Sequence, residues 1–376
     1  MSAPGHSQRL PLIDLLKVLA SQLIVLHHLA FYGPMADHAA PLMPRVIDWL
    51  ADPARMAVQV FLVVGGYLAA LSLAPDGRVR SPTQVSSRLF ERYLRLALPL
   101  ALALLLAIVA AALARHWMEH PSVPMSPSPM QFAAHLLLLQ DVVGVDALSA
   151  GIWYVAIDLQ LYAALVLWLA LVATLLKGSE RIRRVLPWGV VMAVAWSAWC
   201  VNRDSTWDVF APYFFAAHGL GALAAWARGS RAARAAFALA LLSVLLGLWL
   251  EWRGRLALAA AVAVLLWAAH EIRVRLATRP SSRPTGLNAL HSLGQISYAT
   301  FLVHFPVCLV VNAAFTAFVP PHAWLQAIGV LTAWVGSIAA GALFHRVAEA
   351  PLMRWVSRCK AAGWSVGPRR QGAVSG

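Results

Sequence analysis

Residues 11–32 read PLIDLLKVLASQLIVLHHLAFY. The run is long enough to cross a hydrocarbon core, which takes about 20 residues, yet it carries Asp14, Lys17, His27 and His28. A secretory signal would have a clean apolar centre, so this segment is expected to remain as a first membrane helix. At about 100° per residue, with Lys17 as zero, Asp14 falls at about 60°, Ser21 at about 40° and His28 at about 20°. One face is therefore polar. His27 is turned about 80° away. Lys17 and His28 differ in depth by about 16 Å at about 1.5 Å per residue. A charge near the bilayer centre costs about 3 kcal/mol on insertion scales, so such a stripe is expected to face protein or a watery cavity. The plainer reading is a polar contact between helices.

Outward from this segment the composition has the same character. Of 376 residues, 60% are hydrophobic and 12% charged, with a mean hydropathy of +0.68; soluble domains carry about 25% charged residues. An ordinary soluble protein is excluded. Apolar runs fall at about 12–32, 55–74, 96–114, 151–176, 185–201, 207–227, 234–250, 255–270, 291–315 and 324–347. The expected fold is all-α: a polytopic integral membrane protein of about ten transmembrane helices. The segment 131–148 has too short an apolar run to span and is expected to lie at the interface or re-enter, after a proline-rich connection at 121–129. No internal repeat is apparent.

The formal charge of +14 need not signal a nucleic-acid partner, because in a membrane protein basic residues first report sidedness. The termini and alternate connections collect 22 of the 30 Lys and Arg, whereas the opposite side holds six: Arg45, Arg55, Arg115, Arg203, Arg253 and Arg255. The positive-inside rule then puts both termini in the cytoplasm. Residues 1–355 are expected to form the membrane domain and 356–376 a short basic cytoplasmic tail. Cys200, Cys308 and Cys359 lack the spacing of a disulfide framework or a zinc site.

Further polar residues interrupt the apolar pattern. In the fourth run, Asp158 and Tyr162 are i, i+4 neighbours on one face, and Asp158 sits at a depth comparable with His28. A carboxylate there can hold a histidine tautomer for general-base work, or simply make a buried hydrogen bond. Arg88, Arg92 and Arg95 recur at i, i+4 and i+7 in SSRLFERYLRLALP. Guanidinium groups so spaced suit phosphate, although topology alone also places Arg at a cytoplasmic helix end. His304, alone in an apolar run, reads first as a satisfied buried histidine. Glu349 reads as a partner for Arg92 or Arg95.

Taken in order, IDLLKVLASQLIVLHH, VQVFLVVGGYLAA, RYLRLALP, WYVAIDLQLY, LGQISYATFLVHFP and EAP resemble the bacterial acyltransferase type 3 family of integral membrane O-acyltransferases, over nearly the whole chain. In that family the first helix carries Arg, ten residues and then His, which falls here on Lys17 and His28, with Asp14 at the acidic position. The family's Arg-x-x-Arg falls on Arg92 and Arg95, the fourth-helix acid on Asp158, and a common Ser on Gly65.

The resemblance implies transfer of a short acyl group, acetyl foremost, from cytoplasmic acyl-coenzyme A to a hydroxyl of an extracytoplasmic glycan or lipid-linked sugar, in the bacterial inner membrane among its lipids and without nucleic acid or metal. It implies His28 as base or acyl carrier, Asp158 as its orienting group, Lys17 and Asp14 beside the path, and Arg92 and Arg95, with Arg88, on the coenzyme's phosphates. A transporter or flippase using the same His, Asp and Lys is the rival reading.

Overall fold

The computed structural model describes residues 11–77, 79, 84–176, 179–276 and 287–361. Arg9, Arg78, Arg80, Lys177, Arg279, Arg283, Arg369 and Arg370 lie outside them, as does the tail beyond Ala361. Among the described residues fourteen α-helices run in order: α1 Pro11–Phe31, α2 Pro34–Ala39, α3 Pro44–Ala51, α4 Val58–Leu73, α5 Val85–Trp117, α6 Pro129–Leu136, α7 Trp153–Leu175, α8 Ser179–Trp199, α9 Ala211–Trp226, α10 Arg231–Leu250, α11 Gly254–Leu276, α12 Leu287–Phe318, α13 Ala323–Phe344 and α14 Ala350–Ala361. No strand occurs among the described residues. Helices satisfy every backbone group within the segment, which is why apolar chains adopt them in lipid.

Proline opens α1, α2, α3 and α6, where its missing N–H is an orphan in any case. Ser128 caps α6 in a capping box with Gln131. That helix is only eight residues long, so the 131–148 segment does not span, as its short apolar run indicated.

Among the described residues nine helical segments are long and apolar enough to cross a membrane, and the protein is an all-α polytopic membrane protein. They correspond to nine of the ten expected runs. The remaining run is α9, 16 residues long with all but Pro212 and Phe215 buried. Its direction can be read from α1 and α12. Asp14 meets His291, His28 meets His304 and Met35 meets Asn312, at sequence offsets of 277, 276 and 277. A near-constant offset means the two helices run parallel. Six long apolar helices between them would leave them antiparallel; α9 as a seventh crossing restores the parity.

The α9 helix lies against α4 and α8 at the centre of the bundle. It approaches α4 closely enough that a Cβ on Gly66 would fall 1.9 Å from the His218 carbonyl oxygen, and one on Gly221 2.0 Å from that of Val63. Small residues permit such backbone contact in membranes, where dispersion and lipid entropy drive helix packing. At one end of the bundle, among the described residues, the helix ends that flank basic connections meet. Trp226 donates to the Ala74 carbonyl, Arg228 to the Tyr67 hydroxyl, and Lys360 of α14 to Glu91. The arginine-poor connections form the other end, called outer below.

Candidate active site

His28 lies in the last turn of α1. The chain then turns at Gly33, whose φ of +118° suits glycine. Asn312 pins that turn, donating to the Tyr32 carbonyl at 3.2 Å and accepting from the Met35 N–H at 3.2 Å. A Cβ on Gly33 would overlap the Asn312 side chain at 2.5 Å. Because α12 also carries His304, the same helix that ends α1 sets a second imidazole beside His28.

The two rings stack at 8° with centroids 4.8 Å apart, and His28 Nδ1 lies 2.6 Å from His304 Nε2. His304 Nδ1 lies 2.7 Å from the Phe301 carbonyl oxygen. A carbonyl only accepts, so Nδ1 of His304 carries the proton and its Nε2 accepts. In the neutral pair His28 therefore donates from Nδ1, and its lone pair resides on Nε2. That nitrogen is left for a molecule brought to the ring.

His28 lines a cavity of about 1130 Å³ at the outer end. His27, Tyr154, Trp153 and Tyr213 share its wall, together with Asp52, Asp141 and Asp208 and with Arg55, Arg253 and Arg255. The volume exceeds that of most small-ligand pockets, about 300–1,000 Å³. His27 donates to or accepts from nothing in common with His28; its Nδ1 lies 2.9 Å from the Leu50 carbonyl oxygen.

The roof over this space comes from the 129–151 connection. His135 is wholly buried in it, with Nδ1 2.8 Å from the Gln131 carbonyl oxygen and Nε2 accepting from the Leu148 N–H at 3.1 Å. Burial holds its pKa below the usual histidine value. Three residues beyond Leu148, Gly151 adopts φ +79°, and a Cβ there would come 3.3 Å from His28 Cε1.

Asp158 does not orient His28. It accepts from Arg92 Nη2 at 2.5 Å, a pair in which the acid's side chain is 8% and the arginine's 33% exposed. Tyr162 shares that face, as the i, i+4 spacing indicated, with its ring 5.2 Å from the same guanidinium. His304 takes the orienting position instead. An ion pair inside the bundle satisfies two desolvated charges at once, whereas an Asp158–His28 pair would leave Arg92 buried alone. Two buried nitrogens beside this pair, Arg92 Nε and His218 Nε2, have no hydrogen-bond partner.

The other expected site residues lie toward the basic end. Asp14 bonds His291 at 2.8 Å, and Lys17, half-buried, is one turn further along the same face. Arg95 pairs with Glu91 at 2.9 Å, and Glu91 also takes Lys360 at 2.6 Å. Arg88 lies close enough to Tyr162 for its charge to act on the phenol. Glu349 meets His345 at 2.8 Å rather than Arg92 or Arg95. Sequence reasoning undervalued His304 and did not select Tyr154, Trp153, Arg253 or Arg255; arginines on the sparsely basic side were the available signal for the last two.

A bundle of membrane-spanning helices in which one member of a histidine pair, His28, lines a roomy cavity of mixed polar and apolar wall defines an integral membrane protein with room for a sizeable molecule. The family profile of an acyltransferase domain matches residues 10–344, and the chain belongs to the acyltransferase type 3 family. It is a membrane O-acyltransferase. No curated protein and no solved structure matches the chain.

Proposed function

We propose that the protein moves a short acyl group, acetyl foremost, from acyl-coenzyme A bound at the basic end to a hydroxyl of a glycan or lipid-linked sugar held in the outer cavity. The observation that carries this reading is His28, whose Nε2 lone pair is left free at the cavity wall by the hydrogen bond from Nδ1 to His304. Such a nitrogen serves either as general base or as acyl carrier.

As base, His28 Nε2 takes the acceptor's hydroxyl proton while the oxygen attacks the thioester carbonyl. The C–S bond breaks, an ester forms, and the proton passes from the imidazolium to the departing thiolate. As carrier, Nε2 attacks the thioester carbonyl and the C–S bond breaks to release the thiolate; the hydroxyl oxygen then takes the acyl group as the N–C bond breaks, and the hydroxyl proton ends on the thiolate. Coenzyme A phosphates meet Arg88, Arg92 and Arg95, with Lys17 and Asp14 flanking the path to His28. Arg88 and Arg95 are the more available of the three, since the Arg92–Asp158 pair is the more buried one whereas Arg95 meets Glu91 at the surface. Asp158 acts through Arg92. The membrane is the bacterial inner membrane, with the basic end in the cytoplasm by the positive-inside bias.

Adding acetyl-coenzyme A to purified protein with envelope glycan and following free thiol tests this. Thiol release that depends on glycan and vanishes in His28→Ala supports acyl transfer; glycan passage across proteoliposomes without thiol release would make the protein a transporter.

A further inference from the structure

Three of the six arginines at the outer end, Arg55, Arg253 and Arg255, line the cavity that holds His28. Topology does not ask for arginine at this end, so their convergence has another cause. Arg55 is neutralised by Asp52 at 2.9 Å. Among the described residues no carboxylate lies within 4.0 Å of Arg253 or Arg255. The acid nearest in sequence, Glu251, is taken by Arg203 at 2.5 Å.

Neutral groups fix both guanidiniums in place. Arg253 Nη1 donates to the Ala198 carbonyl at 2.8 Å and to Asn202 Oδ1 at 3.3 Å, while its Nε is buried without a partner. Arg255 Nη2 donates to the Tyr213 hydroxyl at 2.7 Å, and its guanidinium lies 5.4 Å from the same ring's centre. Contacts of this kind orient a cation without discharging it. Guanidinium forks match carboxylate and phosphate oxygens in geometry.

The cavity also holds Asp141 and Asp208, acids that accept hydrogen bonds from hydroxyls, and the Trp153 ring, which is apolar on its face. Burial first, and Asp208 in part, hold the Asp141 carboxyl above the usual aspartate value. A ligand that suits all three groups has hydroxyls, a ring with apolar faces and a negative charge.

We propose that Arg253 and Arg255 form an anion subsite, and that the acceptor is an anionic sugar bearing a carboxylate or a phosphate. Asp141 and Asp208 take its hydroxyls and Trp153 packs on its ring. This rests on the acyl-transfer reading for its second half only, since an anion subsite exists whether or not the bound sugar is acylated.

The test is calorimetric titration of the purified full chain with four probes: 4-nitrophenyl β-D-glucuronide, glucose 6-phosphate, 4-nitrophenyl β-D-glucoside and inorganic phosphate. Hydrogen bonds to charged groups are worth about 1.5–3 kcal/mol each, so at least one anionic sugar is expected to bind about tenfold or more tightly than the neutral glucoside. The glucuronide and phosphate arms tell carboxylate from phosphate recognition, and inorganic phosphate binding more weakly than either sugar shows that the hydroxyls contribute. The preference should fall to about unity in Arg253→Gln/Arg255→Gln and persist in Arg45→Gln, at an exposed arginine off the cavity wall. If the double variant does not fold, Arg255→Gln alone, at an exposed residue tied to Tyr213, should still reduce it severalfold. Equal affinity for glucuronide, sugar phosphate and glucoside, including no binding of any, overturns the subsite; so does a preference that survives both substitutions. Thiol release from acetyl-coenzyme A in the same preparation is a separate readout. Its failure with an intact anion preference sinks acyl transfer and leaves the subsite standing.

Discussion

His28 and His304, 276 residues apart in the chain, share one hydrogen bond, and the Phe301 carbonyl behind His304 sets the tautomer of both. The fixed tautomer leaves His28 Nε2 as an acceptor at the cavity wall.

His28→Ala should therefore abolish transfer, with a rate loss on the order of 10² to 10⁴, while abundance and melting temperature stay close to wild type. His304→Ala removes only the orienting partner and should cost less, about tenfold to a hundredfold for a bond worth about 1–3 kcal/mol. His27→Ala, whose ring is tied to the Leu50 carbonyl, should be mild. Initial rates of coenzyme A release check all three. A severe His27→Ala with an active His28→Ala would redraw the site.

Arg92 and Asp158 should behave as a buried pair. Asp158→Asn or Arg92→Met alone leaves one charge without its partner, a defect worth about 3–5 kcal/mol in buried pairs. The double variant Arg92→Met/Asp158→Leu should melt closer to wild type in detergent than either single one. Additive losses would mean that the two side chains act independently.

Gly66→Ala and Gly221→Ala each push a methyl group onto backbone of the facing helix, at 1.9 and 2.0 Å in the undistorted geometry. Backbone cannot swing aside as a side chain does. Overpacking costs about 1–3 kcal/mol, so each variant should lower the melting temperature. Gly144→Ala is the control for added bulk, since a Cβ there meets nothing within 4 Å, though its positive φ adds a small strain of its own.

The roof over the site should loosen in acid. The pKa of His135 is lowered in the folded state by burial, so between that value and the unfolded 6.5 the unfolded chain binds more protons and stability falls as pH falls. A protonated His135 also loses the acceptor for the Leu148 N–H. Hydrogen exchange at Leu148 should accelerate as pH is lowered below about 6.5, after correction for intrinsic rates, and should lose this dependence in His135→Gln. Asp141, whose charge favours protonated His135, moderates the effect. A pH-independent roof would contradict the assignment.

Sidedness follows from the arginine bias. A cysteine placed at Ser126, exposed in the 121–129 connection, should react with an impermeant reagent in intact cells, and one placed at Ser2 should not. The reverse pattern would invert the protein in the membrane.

The apolar runs and their interruptions identified the membrane helices, the absence of a span at 131–148 and the polar stripe of α1, because hydropathy and helical period are local properties of the chain. The basic bias likewise gave an expectation of sidedness before any packing was known. Even α9, too short for a length criterion, was legible as an apolar run. What the sequence did not decide was which polar groups meet. Asp158 and Arg92 are 66 residues apart, and His28 and His304 are 276; at comparable depth, either the acid or the second imidazole was an admissible partner for His28. Parallel packing of α1 on α12 brings His304 to that ring, and desolvation of Arg92 in the bundle binds Asp158 elsewhere. The cavity was equally beyond reach, since its walls come from connections and helices scattered from Ile24 to Phe301. Local periodicity fixes which face of a helix is polar, while the identity of the facing group depends on crossing geometry, and that is settled only when all the helices pack together.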